Sequence, residues 1–166
     1  MRDMRRIPWS GVTLLCAIAL AAVSVAQAAD PIADRLRQMY PANVDAKREI
    51  ADAVQEAAKE HKRVLLVFGA TWCFDCFALD YRFHQPAVQP VLDKNYRVVH
   101  VDIGQHDKNL DIAQRYKTPT EAVPALAVLD SNGKLLYSGQ LHQFSAARNL
   151  DPQVIVKFLE TWKPAA

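Results

Sequence analysis

Residues 64–70, Val-Leu-Leu-Val-Phe-Gly-Ala, carry no polar side chain, while polar and apolar positions are interleaved on either side of them. A short continuous apolar run rich in branched residues predicts a strand buried on both faces of a partly parallel sheet. Upstream, residues 30–40 predict a short helix closed by Pro41. Asp45 then reads as the N-cap of a longer helix with an apolar stripe of Ile50, Val54, Ala57 and Ala58, ending at Lys62 or Arg63.

Downstream, residues 73–83 have helical composition with Cys73 and Cys76 on the first turn, and Pro86 and Pro90 bracket a turn or a second short helix. A strand over 96–103, a helix over 109–116 and an apolar strand over 125–129 follow. Ser131-Asn132-Gly133-Lys134 predicts a type I′ hairpin into 135–138, which makes the last two strands antiparallel. Asp151 as N-cap and Pro152 at the first helical position open a closing helix whose apolar face is Val154, Ile155, Phe158, Leu159 and Trp162. Strands separated by helices, then a hairpin and a final helix, describe an α/β fold with a mixed central sheet covered by helices on both faces.

Composition adds size and address. With 166 residues, 51% hydrophobic and 23% charged, the chain has material for one domain with an adequate core. Residues 1–6 are basic, 12–26 are apolar apart from Thr13 and Ser24, and Ala26-Gln27-Ala28 has the small-x-small form of a signal-peptidase site. The expected division is a signal peptide over 1–28, cleaved after about Ala28, an N-terminal helical extension over 29–44, and a domain over 45–166. The apolar run is shorter than the roughly 20 residues a spanning helix needs, so export to the periplasm or beyond is expected, without stable membrane insertion of the mature chain. A lipid anchor on Cys16 is disfavoured by the preceding Thr13-Leu14-Leu15. The formal charge of +2 depends on Arg2, Arg5 and Arg6; without the leader, basic and acidic residues balance, which argues against nucleic acid or an anionic membrane surface as partner.

Export also changes the meaning of the cysteines, because disulfides persist in oxidising compartments. The mature chain holds Cys73 and Cys76. A bridge across so short a loop removes little entropy from the unfolded chain, so the pair is better explained by chemistry than by stapling. Cys73, at the start of a helix that leaves a buried strand, has free amides and the positive end of the helix dipole beside it, which favour the nucleophilic thiolate. Cys73 is the expected exposed attacker and Cys76, one turn further in, the resolving thiol. The competing chemistry is a copper or zinc carrier joining the two thiolates to His84 or His100, against which stand the small number of thiols and the lack of a tight Cys/His cluster.

Trp72-Cys73-x-x-Cys76 after the apolar run, Val123-Pro124 opening the next apolar strand, and the hairpin with its closing helix together resemble the thioredoxin family over residues 45–162. Within it the chain is most similar to exported thioredoxin-like proteins described as disulfide isomerases or thiol-disulfide interchange proteins, including the C-terminal domain of DsbD. The resemblance implies a thioredoxin fold and disulfide exchange with protein substrates, with electrons from a membrane-borne or soluble thiol donor. No metal or cofactor beyond the redox-active pair is implied. It also implies a cis Val123-Pro124 peptide facing the cysteines, with the Val123 backbone pairing to a substrate strand and Trp72, Phe74 and Asp75 in supporting roles. A non-catalytic adaptor binding extended peptides beside Val123 would use the same groove.

This chain departs from the family pattern in four places. Val67 stands where a buried acid usually serves proton transfer to the second cysteine, and His100 falls where the family places a lysine, which makes it a candidate proton shuttle. The segment over 116–124 is two residues longer than in small thioredoxins. Phe74-Asp75 replaces the dipeptides of strong oxidants, and a carboxylate at Asp75 opposes a thiolate at Cys73, which favours a reductase or isomerase.

Overall fold

The computed structural model describes residues 30–165. The expected leader, residues 1–28 with Cys16, lies outside them. Helix α1 (Pro31–Met39) is capped by Asp30, whose carboxylate accepts from the amides of Ile32 and Ala33, and stops at Tyr40 before Pro41. Asp45 likewise caps α2 (Ala46–Glu60), which ends on His61 in the left-handed region. Its buried stripe is Ala46, Ile50, Ala53 and Ala57; the expected Ala58 is exposed and Val54 only half-buried, because the burying face lies one residue round.

The chain continues through β1 (Arg63–Gly69), α3 (Phe74–Phe83), α4 (Gln89–Asn95), β2 (Tyr96–Asp102), α5 (Leu110–Arg115), β3 (Ala125–Leu129), β4 (Leu135–Ser138), a short 3-10 turn (Ala147–Asn149) and α6 (Pro152–Thr161). The sheet order is β2-β1-β3-β4; β2 runs parallel to β1, and β3 antiparallel to both β1 and β4. Strand β1 is central, and its pleat divides the core. Val64, Leu66 and Phe68 pack with α1, α2 and α5, while Leu65 and Val67 pack with Leu79 and Phe83 of α3, Leu92 of α4, and Ile155, Phe158 and Leu159 of α6. All five of these strand residues are at most 1% exposed, which explains the absence of polar residues in this stretch. No described helix is long and apolar enough to cross a membrane.

Two local expectations change. Only Gly133 in the β3–β4 connection has positive φ, at 77°, so the turn is not type I′, which needs both central residues there. The Asp130 carboxylate organises a longer loop by accepting from the amides of Asn132 and Lys134. On α6, Val154 is 48% exposed rather than part of the apolar face.

Candidate active site

Strand β1 delivers Ala70-Thr71-Trp72 to the N-terminus of α3. Cys73 is the N-cap of that helix rather than part of its first turn, and its Sγ accepts from the Cys76 amide at 3.0 Å. Cys73 and Cys76 are joined as a disulfide, with Cα atoms 5.2 Å apart. The N-cap position matters chemically: when the bond is reduced, a sulfur held by an amide at the positive end of a ten-residue helix is favoured as thiolate. The expectation of an exposed Cys73 is corrected, because Cys73 packs into the buried cluster that holds Ala70, Cys76 and Val123. Cys73 is 4% exposed and Cys76 0%, so access is restricted but still graded in favour of Cys73.

Around the pair, Trp72 is 39% exposed, is tied by its Nε1–H to the Gly104 carbonyl at 2.7 Å, and lies over His106. Phe74, next to Cys73 in the chain, and Tyr81 are 58% and 63% exposed and line one surface depression on α3 with Phe77 and Ile32. The Val123–Pro124 peptide is cis, and Val123 belongs to the same buried cluster as both cysteines.

Asp75 does not stand as a free charge near the pair. Its Oδ1 accepts from the Arg148 backbone amide at 3.0 Å and from Arg148 Nε at 3.1 Å, which fastens α3 to the 3-10 turn. The guanidinium offsets much of the repulsion expected between this carboxylate and a thiolate at Cys73. Nothing in the sequence spacing marks Arg148, 73 positions away, as its partner.

Behind the disulfide lies a buried polar group that sequence reading missed. Asp80, one helical turn beyond Cys76 and 5% exposed, accepts from Arg35 of α1 through both carboxylate oxygens, at 2.7 and 3.0 Å. His84 Nδ1 lies 2.7 Å from the Asp80 carbonyl, and His100 Nε2 lies 4.0 Å from Asp80 Oδ1. An acid at i+4 from Cys76, among the apolar residues of α3, was the available signal. His100 is paired with Val67 across β1 and β2, and its ring meets the edge of Tyr40; no hydrogen bond links it to either cysteine. Neither His84 nor His100 converges with the cysteines, and among the described residues no three His, Cys, Asp or Glu side chains gather as metal ligands.

Burial pushes the His100 imidazole down to about 4, against the partial opposing pull of Asp80. The unfolded chain therefore binds a proton there below about pH 6.5 that the folded chain refuses until about pH 4. Stability should be at its plateau above pH 6.5 and fall as pH drops towards 4, by on the order of 3 kcal/mol from this group. Urea denaturation at several pH values should show a shallower fall in His100→Gln; parallel curves would refute the assignment.

A family model described as thioredoxin-like matches residues 45–131. No curated protein matches the sequence. Among solved structures, the chain is similar to a disulphide isomerase from Xylella fastidiosa Temecula1, with 33% identity and a TM-score of 0.69, covering 74% of this chain and 94% of that one. A thioredoxin from Thermus thermophilus has the same fold at 18% identity and a TM-score of 0.51, with coverages of 67% and 81%. The reduced C-terminal domain of DsbD from Neisseria meningitidis matches at 21% identity and a TM-score of 0.49, with coverages of 69% and 95%. With the family model spanning more than half of its residues, and a strand–Cys-x-x-Cys–helix site after a central strand of a four-stranded mixed sheet, the chain belongs to the thioredoxin-like family.

Proposed function

We propose that the protein is an exported thiol-disulfide oxidoreductase that exchanges disulfides with protein substrates, working as a reductase or isomerase rather than as a strong oxidant. The observation that carries the exchange chemistry is the Cys73–Cys76 disulfide seated at the N-cap of α3, with Cys73 Sγ bonded to an amide and Cys76 completely buried behind it. The likeness to a disulphide isomerase at 33% identity supports the same chemistry.

In the reducing direction, Cys73 thiolate attacks a substrate disulfide, forming a mixed disulfide and expelling one substrate thiolate. Cys76 then attacks Cys73 Sγ, closing the internal disulfide and releasing the second substrate sulfur. Two electrons pass from the dithiol to the substrate, and a thiol donor, membrane-borne or soluble, must return them. The exposed Trp72 and Phe74 offer apolar contact to an unfolded or extended substrate, and the Val123 backbone beside the cis Pro124 offers strand pairing. The basic leader and its small-x-small site support export, and the balanced charge of the remaining chain fits protein substrates better than nucleic acid.

The test is the equilibrium of the mature protein with glutathione. The expected potential lies between about −270 and −180 mV, the span of thioredoxin and protein disulfide isomerase, and not near the −120 mV of a strong periplasmic oxidant. A value near −120 mV would overturn the direction, and no exchange at all would overturn the activity. Because Arg148 engages Asp75, Asp75→His should raise the potential by no more than some tens of millivolts, in line with about 30 mV per 1.4 kcal/mol.

A further inference from the structure

Two side-chain oxygens or nitrogens near the site are buried without a hydrogen-bond partner: Tyr40 Oη and His100 Nε2. The first is the informative one. Tyr40 is the residue that ends α1, it is 1% exposed, and it lies outside the segment matched by the family model. A buried hydroxyl without a partner is costly and rare in folded proteins, so its position calls for a physical reason.

Gly69 supplies the reason for its place. A Cβ on Gly69 would stand 2.2 Å from Tyr40 Oη and 2.6 Å from Cys76 Sγ. The hydroxyl and the resolving sulfur therefore crowd the same small space at the end of β1, a space that exists because residue 69 has no side chain. In the disulfide, Cys76 Sγ carries no charge and is a weak acceptor. Reduction frees that sulfur and lets it become a thiolate, which is a strong acceptor in a site from which water is excluded.

We infer that Tyr40, through its hydroxyl, is the hydrogen-bond donor to Cys76 Sγ in the reduced protein, supplied from the N-terminal extension. This rests on the redox reading of the Cys73–Cys76 pair. During resolution, Cys76 releases its proton and its thiolate attacks Cys73 Sγ. The Cys76–Cys73 bond forms, the bond from Cys73 to the substrate sulfur breaks, and the departing substrate thiolate takes up a proton. Tyr40 keeps its own proton throughout, and burial together with the charges of Asp80 and Asp102 raises its pKa, which holds it in the donor form. The titratable and charged groups around this pocket are Asp80 on α3, His84 at its C-terminal cap, Arg35 on α1, and His100 and Asp102 on β2.

The experiment is Tyr40→Phe in the mature chain, which removes the hydroxyl and retains the ring. Where Cys76 is ionised, the glutathione equilibrium should shift about tenfold towards the disulfide, equivalent to about 30 mV more negative, and the shift should shrink at lower pH where Cys76 keeps its proton. Decay of a preformed mixed disulfide at neutral pH should slow by roughly threefold, since the lost thiolate fraction is partly offset by the higher nucleophilicity of a more basic sulfur. The oxidised variant should be at least as stable to heat as wild type and the reduced variant less so. A purely packing role moves both redox states together and gives no pH-dependent shift. Wild type that exchanges normally, with Tyr40→Phe matching it at every pH, would overturn the inference; wild type without exchange would instead overturn the oxidoreductase reading.

Discussion

Cys73→Ser should reduce a test protein disulfide no faster than background in the presence of dithiothreitol, whereas Cys76→Ser should accumulate covalent mixed disulfides with the same substrate. The difference follows from position. Cys73 is the N-cap sulfur with an amide bonded to it and the residual accessibility of the pair, and Cys76 is fully buried behind it, so an incoming disulfide meets Cys73 first. Removing the attacker leaves no route to the mixed disulfide; removing the resolver leaves that species without its intramolecular exit. Non-reducing gels after acid quenching separate the cases. Adducts trapped by Cys73→Ser but not by Cys76→Ser would reverse the roles, and full turnover by Cys73→Ser would end the assignment.

Gly69→Ala should be the most damaging conservative substitution in β1. The added methyl meets Tyr40 Oη, Tyr40 Cζ at 2.7 Å and Cys76 Sγ, and none of these can move into solvent, since Tyr40 is 1% exposed and Cys76 0%. Overpacking of this kind costs about 1–3 kcal/mol, which for a domain of this size lowers the melting temperature by very roughly 2–10 °C. Val67→Ala, in the same strand, destabilises through a void instead and leaves the tyrosine where it is. If Gly69→Ala melted with wild type, the close approach of the three groups would not exist in solution.

Much of this architecture was legible because it is carried by local signals: the unbroken apolar run that became β1, the aspartate caps of α1, α2 and α6, and the two-residue spacing of the cysteines at a strand–helix junction. What escaped is non-local. The Asp75–Arg148 and Arg35–Asp80 pairs join residues 73 and 45 positions apart, and no periodicity announces them. The burial of Cys73 likewise depends on a cluster that includes Val123, distant in the chain. Gly69 and Asp80 did leave a trace, as a glycine closing a buried strand and a carboxylate on an apolar helix face, but only packing reveals that the first concerns Tyr40 and Cys76 and the second Arg35.

The contacts made by α1 redraw the unit that an experimenter should express. A fragment begun at Asp45, where the recognisable family segment starts, would retain both cysteines, the cis proline and every strand. It would lack Arg35 and Tyr40, taking from the Asp80 carboxylate its cation and from Cys76 the ring that packs beside it. Such a minimal domain should be less soluble and more readily cleaved by protease than the chain from Asp30 onward, and a reaction rate measured on it would describe a different resolving thiol from that of the intact protein.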